Sequence, residues 1–364
     1  MECSPVSNKL LNKATQLKTP VDGTFELTGD CIFNCKMCYV HNCGKRSLEM
    51  ETVGAEKWEK LFSQCVDNGL LFCLLTGGEP LLHKEFDRIY TSLKSKNVII
   101  TVNTNGYLLN AQRLEFFKAL PPQRFNISLY GVTDGTYEML CGVKNGFSVV
   151  DKNIKEIRRC GINMRLNATI TKTNRGEVFD IIRYADENGL HIRPTTYIFG
   201  TEQNAVDERL PAEEAAALTA EIFAKTHTPE QLKGMCADYE IKLEAGKKNK
   251  PRESSFPGIV CHAGKCAYWV HSDGKMSICG MLPADNAENV FEKDFLSVWT
   301  QAVKATEEIK SNPVCNACDY RYICRKCHGM TECEHVLPEE IESSYSCRYH
   351  KALADEFIRM GKNL

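Results

Sequence analysis

The sequence predicts an α/β protein: a partial parallel barrel of six strand–helix units, (β/α)6, followed by a cysteine-rich C-terminal region. Short apolar segments alternate with helical-period stretches through the first half of the chain, and the 19 cysteines gather mainly into two clusters, one at either end of that pattern. A chain of 364 residues, 43% hydrophobic and 25% charged, is long enough for one large domain and one smaller.

The strands are predicted at Thr24–Thr28, Leu70–Thr76, Val98–Thr104, Phe125–Tyr130, Met164–Thr171 and His191–Ile198, each ending in polar or glycine-containing residues. Between them, apolar residues recur at helical spacing over Val53–Asp67, Glu85–Lys96, Asn110–Leu120, Phe147–Cys160 and Glu177–Asn188. Such units fit a parallel sheet with right-handed crossovers. An eight-unit barrel would need more chain than precedes Cys261. An Ala/Glu-rich helix, Pro211–Lys225, follows. Ile241–Pro257 carries Lys247, Lys248, Lys250, Pro251 and Arg252 without apolar periodicity and is expected to be a linker or mobile loop with a solvated basic surface. An amphipathic helix around Val290–Lys310 and a terminal helix, Lys351–Met360, complete the pattern. The expected organisation is a barrel over 1–235, a linker over 236–258 and a cysteine-rich domain over 259–364.

The net charge of -2, from 45 Lys+Arg against 47 Asp+Glu, supplies no basic face for a phosphate backbone, so nucleic acid is not an expected partner. The first twenty residues hold no apolar signal segment, and the longest apolar run, Leu70–Leu75, falls far short of the roughly twenty residues that span a bilayer. No membrane segment is expected, and the expected location is the cytoplasm. In that reducing compartment, clustered cysteines serve as metal ligands or catalytic groups more readily than as disulfides. Cys3, Cys65, Cys73, Cys141, Cys160 and Cys236 stand singly and read as small buried hydrophobes or spare thiols.

The first cluster, Cys31-Ile-Phe-Asn-Cys35-Lys-Met-Cys38, directly follows the first strand, at the barrel end where active sites are built. Three thiolates in a tight loop can converge on a four-iron cluster and leave one iron open to an external ligand. Gly77-Gly78-Glu79-Pro80 follows strand two; glycines there let the backbone approach a ligand closely, and consecutive backbone groups can hydrogen-bond it. Asn126-Ile127-Ser128-Leu129 closes strand four.

This combination resembles the radical S-adenosylmethionine superfamily, whose fold is a partial, TIM-like (β/α)6 barrel. The resemblance implies that Cys31, Cys35 and Cys38 hold a [4Fe–4S] cluster whose open iron chelates the amino and carboxylate groups of S-adenosylmethionine. It further implies that Gly77, Gly78 and Glu79 contact the methionine moiety, Glu79 accepting from its ammonium, that Ser128 reaches a ribose hydroxyl and that Met37 lies beside the adenine, where relatives commonly have an aromatic residue. Many relatives carry an arginine for the methionine carboxylate shortly after the serine; here Cys141 stands near that position, and Lys144 and Arg165 are the candidate substitutes. Cys43 and Cys3 read as spare thiols.

The second cluster runs Cys261-x12-Gly274-x4-Cys279, then Cys315-xx-Cys318-x5-Cys324-xx-Cys327, then Cys347, with Asp273-Gly274-Lys275 reading as a hairpin turn. It is similar to the SPASM extension, which carries two auxiliary [4Fe–4S] clusters. The resemblance gives Cys261, Cys279 and Cys327 to one cluster, with Cys266 as candidate fourth ligand, and Cys315, Cys318, Cys324 and Cys347 to the other. Cys333 is left over, and relatives often place three residues, not two, before the Cys327 position. Zinc is the competing reading, but zinc ribbons separate their CxxC pairs by about twelve to twenty residues, against five here. His262 and His328, beside cluster cysteines, are expected to be neighbours of the clusters and not ligands.

Three clusters, S-adenosylmethionine, a peptide or protein substrate and a flavodoxin- or ferredoxin-type electron donor are the partners the resemblance implies; if the peptide bears a leader, its recognition falls to a separate leader-recognition protein, the barrel rim or the basic linker. The implied reaction is hydrogen abstraction from the peptide by a 5′-deoxyadenosyl radical, giving a crosslink, thioether or related modification. Sulfatase-maturing relatives place an Asp directly after the cysteine at the Cys279 position; Gly280 stands here, so that activity is not expected. The alternatives are a small metabolite or cofactor precursor as substrate, and a non-catalytic iron–sulfur electron carrier; the GGEP segment and Ser128 speak against the carrier, which needs no nucleoside pocket.

Overall fold

A computed structural model describes residues 5–42, 52–200, 203–249, 258–282, 284, 286–324 and 327–364. Cys3, Cys43 and residues 250–257 of the expected linker lie outside these residues.

The strands are β1 (Asp22–Glu26), β2 (Phe72–Thr76), β3 (Ile99–Thr104), β4 (Arg124–Ser128), β5 (Met164–Thr169), β6 (Ile192–Thr195), β7 (Ala267–Val270) and β8 (Met276–Ser277). They form one sheet in the order β6-β5-β4-β3-β2-β1-β7-β8, parallel throughout except for the antiparallel β7–β8 pair. All six expected strands are present, and the five expected crossover helices fall at Ala55–Asp67, Phe86–Lys94, Ala111–Ala119, Gly146–Arg159 and Val178–Glu187.

Side chains alternate across a strand, so each strand sends one set toward the helices and the other into the barrel interior. Phe25, Leu75, Ile100, Val102, Phe125, Ile127 and Leu166 form the first set; they are fully buried in one cluster with Trp58, Phe62, Ile89, Phe117 and Ile154 of the helices. Phe125 meets Phe117 edge-on at 4.9 Å. The interior set includes the polar side chains Glu26 on β1, Asn103 on β3, Asn126 and Ser128 on β4, and Arg165 and Asn167 on β5, beside the apolar Leu74 on β2. The helices cover one face, and the chemistry is left to the other.

Three features lie beyond the sequence pattern. A helix, Pro5–Leu17, precedes β1 and packs Leu11 and Ala14 against Val21 and Cys266. A second, Asp134–Cys141, is capped by the Thr133 hydroxyl and stopped by Gly142 in the left-handed region. The third is β7, which extends the barrel sheet by pairing in parallel with β1, Asp22 opposite Ala267 and Phe25 opposite Val270. Tyr268 of β7 enters the helix-side core against Phe25, and Trp269 faces the interior, donating from Nε1 to Glu26 at 2.8 Å. The expected hairpin is present: Gly274 has φ 85°, and His271 N donates to Lys275 O at 2.9 Å.

The expected linker over 236–258 is corrected for its first half. Residues 236–248 belong to a helix, Pro229–Lys248, opened by a capping box in which Thr228 and Gln231 bond each other's backbone. Its apolar stripe is narrow because it buries only Leu232, Cys236 and Gly246, and its exposed basic residues pair along the helix, Lys242 with Asp238 and Lys247 with Glu244. Tyr239 stacks on Phe357 of the terminal helix, Tyr345–Gly361, at 4.6 Å. Gly246 rests directly on the carbonyl of Asp319, so the helix touches the segment that carries Cys315, Cys318 and Cys324.

Candidate active site

The chain leaving β1 and the chain leaving β2 run side by side. Leu27 N donates to Thr76 O at 2.9 Å, Gly78 N to Thr28 O at 2.8 Å and Glu79 N to Asp30 O at 2.7 Å. The cysteine loop begins at the end of this ladder. Phe33 N and Asn105 Nδ2 point at Cys31 Sγ, at 3.4 and 3.7 Å, and Cys38 N closes a turn on Cys35 O at 3.0 Å. The loop is also held from beneath. Asn34 N donates to Cys141 O at 2.8 Å and Lys36 N to Leu140 O at 3.0 Å, using carbonyls that the end of helix Asp134–Cys141 would otherwise leave without partners. Phe33, almost fully buried, wedges edge-on against Tyr107 and Tyr137.

The three thiols share one neighbourhood. Burial pushes the Cys31 thiol up to about 12, with the charges of Glu79, Cys35 and Cys38 adding to the rise. A hydrogen bond with the Cys141 thiol, then burial, holds Cys35 well above the ordinary thiol range. As free groups Cys31 and Cys35 are protonated, and metal binding must displace those protons. Among the described residues no three His, Cys, Asp or Glu side chains converge as the ligands of a single ion would. Sulfurs arranged around a loop, met by N–H donors at Cys31, suit a cluster in which each thiolate takes a separate iron.

The GGEP segment packs against the chain that leads into the cysteine loop. Gly77 has φ 142°, and a Cβ on Gly78 would strike the carbonyl oxygens of Gly29 and Asp30, so the glycines bring the backbone close to the stem of the cysteine loop itself. The Gly78 and Glu79 amides are used there as well. Glu79, expected to accept from the methionine ammonium, is 0% exposed and accepts from Thr104 Oγ1 at 2.8 and 2.9 Å, Asn105 N at 2.8 Å and Leu81 N at 3.2 Å. It thereby holds the end of β3, and with it Asn105 beneath Cys31. Neither Thr104 nor Asn105 was singled out in the sequence; the signal available was a polar Asn-Thr-Asn-Gly run at a strand end.

Burial raises the Glu79 carboxyl to about 7, against the opposing pull of those hydrogen bonds. A carboxyl raised in the folded state destabilises the fold once ionised, so its contribution is most favourable below the ordinary value of 4.5 and is lost as pH rises through 7. Glu79→Gln is expected to lose stability at pH 5, where its amide faces donors, and to flatten the fall between pH 5 and 8 by an amount on the order of 2–3 kcal/mol. Urea unfolding at the two pH values reads the difference; equal slopes for the two proteins would refute the burial account. Asp22, raised by burial to about 6, adds the same sign to both proteins and cancels.

Ser128 lies at the end of β4 on the interior face, half-buried, where a ligand hydroxyl can reach it. Met37 packs into the core cluster at the cysteine loop. Lys144 is exposed beyond the Cys141 helix, whereas Arg165 faces the interior. Gly280 lies flat against the Trp269 indole, where a Cβ would fall 2.6–2.8 Å from the ring, so an acidic side chain has no room there. Glu26, 1% exposed, also contacts His271 Nδ1 at 3.3 Å; His271 Nε2 lies 2.7 Å from Ser277 Oγ, which donates to Cys279 O at 3.0 Å. A buried polar chain thus runs from β1 to the second cysteine set.

In that set, Cys315, Cys318, Cys324, Cys327 and Cys347 line one cavity of about 410 Å³, with His328, His350 and Lys351. Cys279 and Cys327 lie together at the cavity edge, their sulfurs 4.0 and 3.8 Å from the point a Cβ on Gly329 would take. Cys266 is fully buried under the first helix, hydrogen-bonded with Thr15 Oγ1 at 3.3 Å, while Cys261 is exposed. His262 Nδ1 lies 2.9 Å from the same Thr15 hydroxyl, and Cys333 Sγ donates to Met281 O at 3.0 Å.

Comparison with known proteins agrees with this geometry. Residues 25–185 match the Radical SAM superfamily model. The AdoMet-dependent heme synthase of Methanosarcina barkeri is 25% identical over 321 residues, 84% of this chain and 90% of that protein. The antilisterial bacteriocin subtilosin biosynthesis protein AlbA of Bacillus subtilis is 24% identical over 79% of this chain, which spans 61% of AlbA. Streptococcus suis SuiB, solved bound to its precursor peptide SuiA, superposes with a TM-score of 0.66 at 20% identity, over 87% of this chain and 73% of SuiB. Among the described residues no helix is long and apolar enough to cross a membrane. The chain carries a Radical SAM superfamily domain over residues 25–185, on a partial barrel, and is an enzyme that uses a [4Fe–4S] cluster and S-adenosylmethionine.

Proposed function

We propose that this enzyme abstracts hydrogen from a carbon of a peptide substrate, and that residues 259–364 form an auxiliary domain serving the barrel domain, 1–235. The observation that carries the reading is the five-cysteine cavity, placed on the chain beyond a barrel that already holds its own three-cysteine loop. A [4Fe–4S] cluster held by Cys31, Cys35 and Cys38 would supply the electron for reductive cleavage of S-adenosylmethionine, and clusters held by the second cysteine set would take up an electron from the substrate after its hydrogen is taken.

The chain's residues set the stage for this. Cys31, Cys35 and Cys38 hold three irons; Asn105, held by Glu79, donates to Cys31 sulfur; Gly77 and Gly78 fix the loop stem; and Ser128 offers its hydroxyl to the ribose. Cys315, Cys318, Cys324 and Cys347 take one auxiliary cluster, and Cys261, Cys266, Cys279 and Cys327 the other. AlbA, a bacteriocin biosynthesis protein, and SuiB, bound to its precursor peptide, support a peptide substrate. With it go a flavodoxin- or ferredoxin-type donor, a separate leader-recognition protein and a cytoplasmic location. The heme synthase, covered over 90% of its length, favours a second reading in which a small metabolite takes the peptide's place.

Anaerobically reconstituted protein with reductant and S-adenosylmethionine is expected to release 5′-deoxyadenosine and to bind about twelve irons, with a mass change on a peptide encoded beside it. A few zincs without sulfide, and no 5′-deoxyadenosine, would refute the radical reading; a mass change confined to a metabolite pool would select the second.

A further inference from the structure

The interior face of β4, β5 and β6 carries a positive cluster. Arg124 and Asn126 alternate with the core residues Phe125 and Ile127, so both face the interior. Arg165 is the register partner of Asn126, and Arg193 that of Asn167, two residues beyond Arg165. Three adjacent strands therefore bring Arg124, Arg165 and Arg193 to one side of the sheet.

The cluster is ordered, and among the described residues it has no counterion. Asn103 accepts from Asn126 Nδ2 at 2.7 Å, and Asn126 in turn accepts from Arg124 Nε at 3.0 Å, which aims the first guanidinium. The Arg165 Nε is buried without a hydrogen-bond partner. Among the described residues none of the three arginines forms an ion pair, and no carboxylate acts on Arg165. Burial, then the like charges of Arg124 and Arg193, depress its guanidinium below the ordinary arginine value. An unpaired buried donor costs a fold about 1–3 kcal/mol, and mutual repulsion adds to that cost, so an anion bound here would stabilise the arrangement.

We infer that Arg124, Arg165 and Arg193 form a substrate subsite for a group bearing two or more oxyanions, either several carboxylates or a phosphate chain. Charge complementarity separates this ligand from the methionine carboxylate, whose single charge leaves two guanidiniums unmatched. Position separates one end of it as well: Arg124 begins β4, four residues or about 13 Å below Ser128, while Arg193 lies at the register level of Ser128, two strands away across Asn167. The inference rests on reading the barrel interior as the substrate chamber, and it narrows either substrate class: a peptide would place acidic side chains here, a small metabolite its carboxylates or phosphates.

The test is equilibrium binding to the reconstituted holoenzyme by calorimetry, without turnover, so that it stands apart from 5′-deoxyadenosine formation. The probes are inorganic tripolyphosphate and acetyl-triglutamyl amide; saturable one-to-one binding of either supports the subsite, and the tighter probe identifies the source of the oxyanions. Arg193→Gln, on an exposed side chain, and Arg165→Gln are each expected to weaken that binding about tenfold or more. If Arg165→Gln fails to fold, as judged by its melt and iron content, Arg193→Gln carries the test. The inference is overturned if neither probe saturates, if Arg193→Gln binds like the native enzyme, or if S-adenosylmethionine affinity falls by the same factor, which would assign the cluster to the methionine carboxylate.

Discussion

Cys35→Ala is expected to abolish 5′-deoxyadenosine formation and to remove roughly four irons per chain, leaving the auxiliary irons in place. The reason is positional. Cys35 lies at the centre of the loop, its carbonyl closing the turn to Cys38 and its thiol buried against Cys141. A cluster held by Cys31 and Cys38 alone would have two unligated irons where the chemistry requires one. The loop itself should survive, because its backbone is held by the carbonyls of Leu140 and Cys141 and by the ladder to residues 76–79, none of which the substitution touches. Cys141→Ala is the matched control: it removes the neighbouring sulfur yet should retain the irons. Iron and sulfide analysis with the electron paramagnetic resonance of the reduced protein reads both. Loss of the loop cluster in Cys141→Ala as well would mean that Cys141 is a ligand, and full cleavage in Cys35→Ala would sink the assignment.

Gly78→Ala is expected to destabilise the fold by about 2–4 kcal/mol and to impair cluster assembly more than its size suggests. The added methyl would meet only backbone: the carbonyl oxygen of Gly29 at 2.5 Å, the carbonyl carbon of Asp30 at 2.6 Å and the Asp30 oxygen closer still. No rotamer change relieves such contacts, so the stem Thr28–Asp30 must move, and Cys31 with it. Gly176→Ala, with open space around it and ordinary φ, is the neutral comparison. Thermal melts of the two variants before and after reconstitution separate the steric cost from the loss of iron. A Gly78→Ala protein as stable and as iron-rich as Gly176→Ala would refute the close-packed stem.

The strands and crossover helices were legible because period-2 and period-3.6 patterns arise from local burial, and Phe125, Ile127 and Leu166 carry that pattern in the sequence. Cys31, Cys35 and Cys38 were legible because ligand spacing within one loop is a local property. The direction of the Glu79 carboxylate was not, because it depends on Thr104 and Asn105 from the next strand. β7 was equally hidden: Ala-Tyr-Trp-Val is a short apolar run whose partner, β1, lies at the far end of the chain. Helix Pro229–Lys248 escaped for another reason, since a helix burying only three residues, one of them a glycine, shows almost no period.

The partnership of β1 and β7 has a further consequence, for the order in which the protein can be made. Glu26 and Trp269 are 243 residues apart, so when the first six strands have emerged from the ribosome one edge of β1 still lacks its neighbour. A parallel edge with open N–H and C=O groups is a template for pairing with other chains, and such long-range closure comes late and slowly. The nascent barrel therefore passes through an interval in which its most chemically important strand, the one leading into the cysteine loop, is also its least protected. Shortened forms ending before residue 267 should aggregate even though they contain the whole of the matched barrel domain.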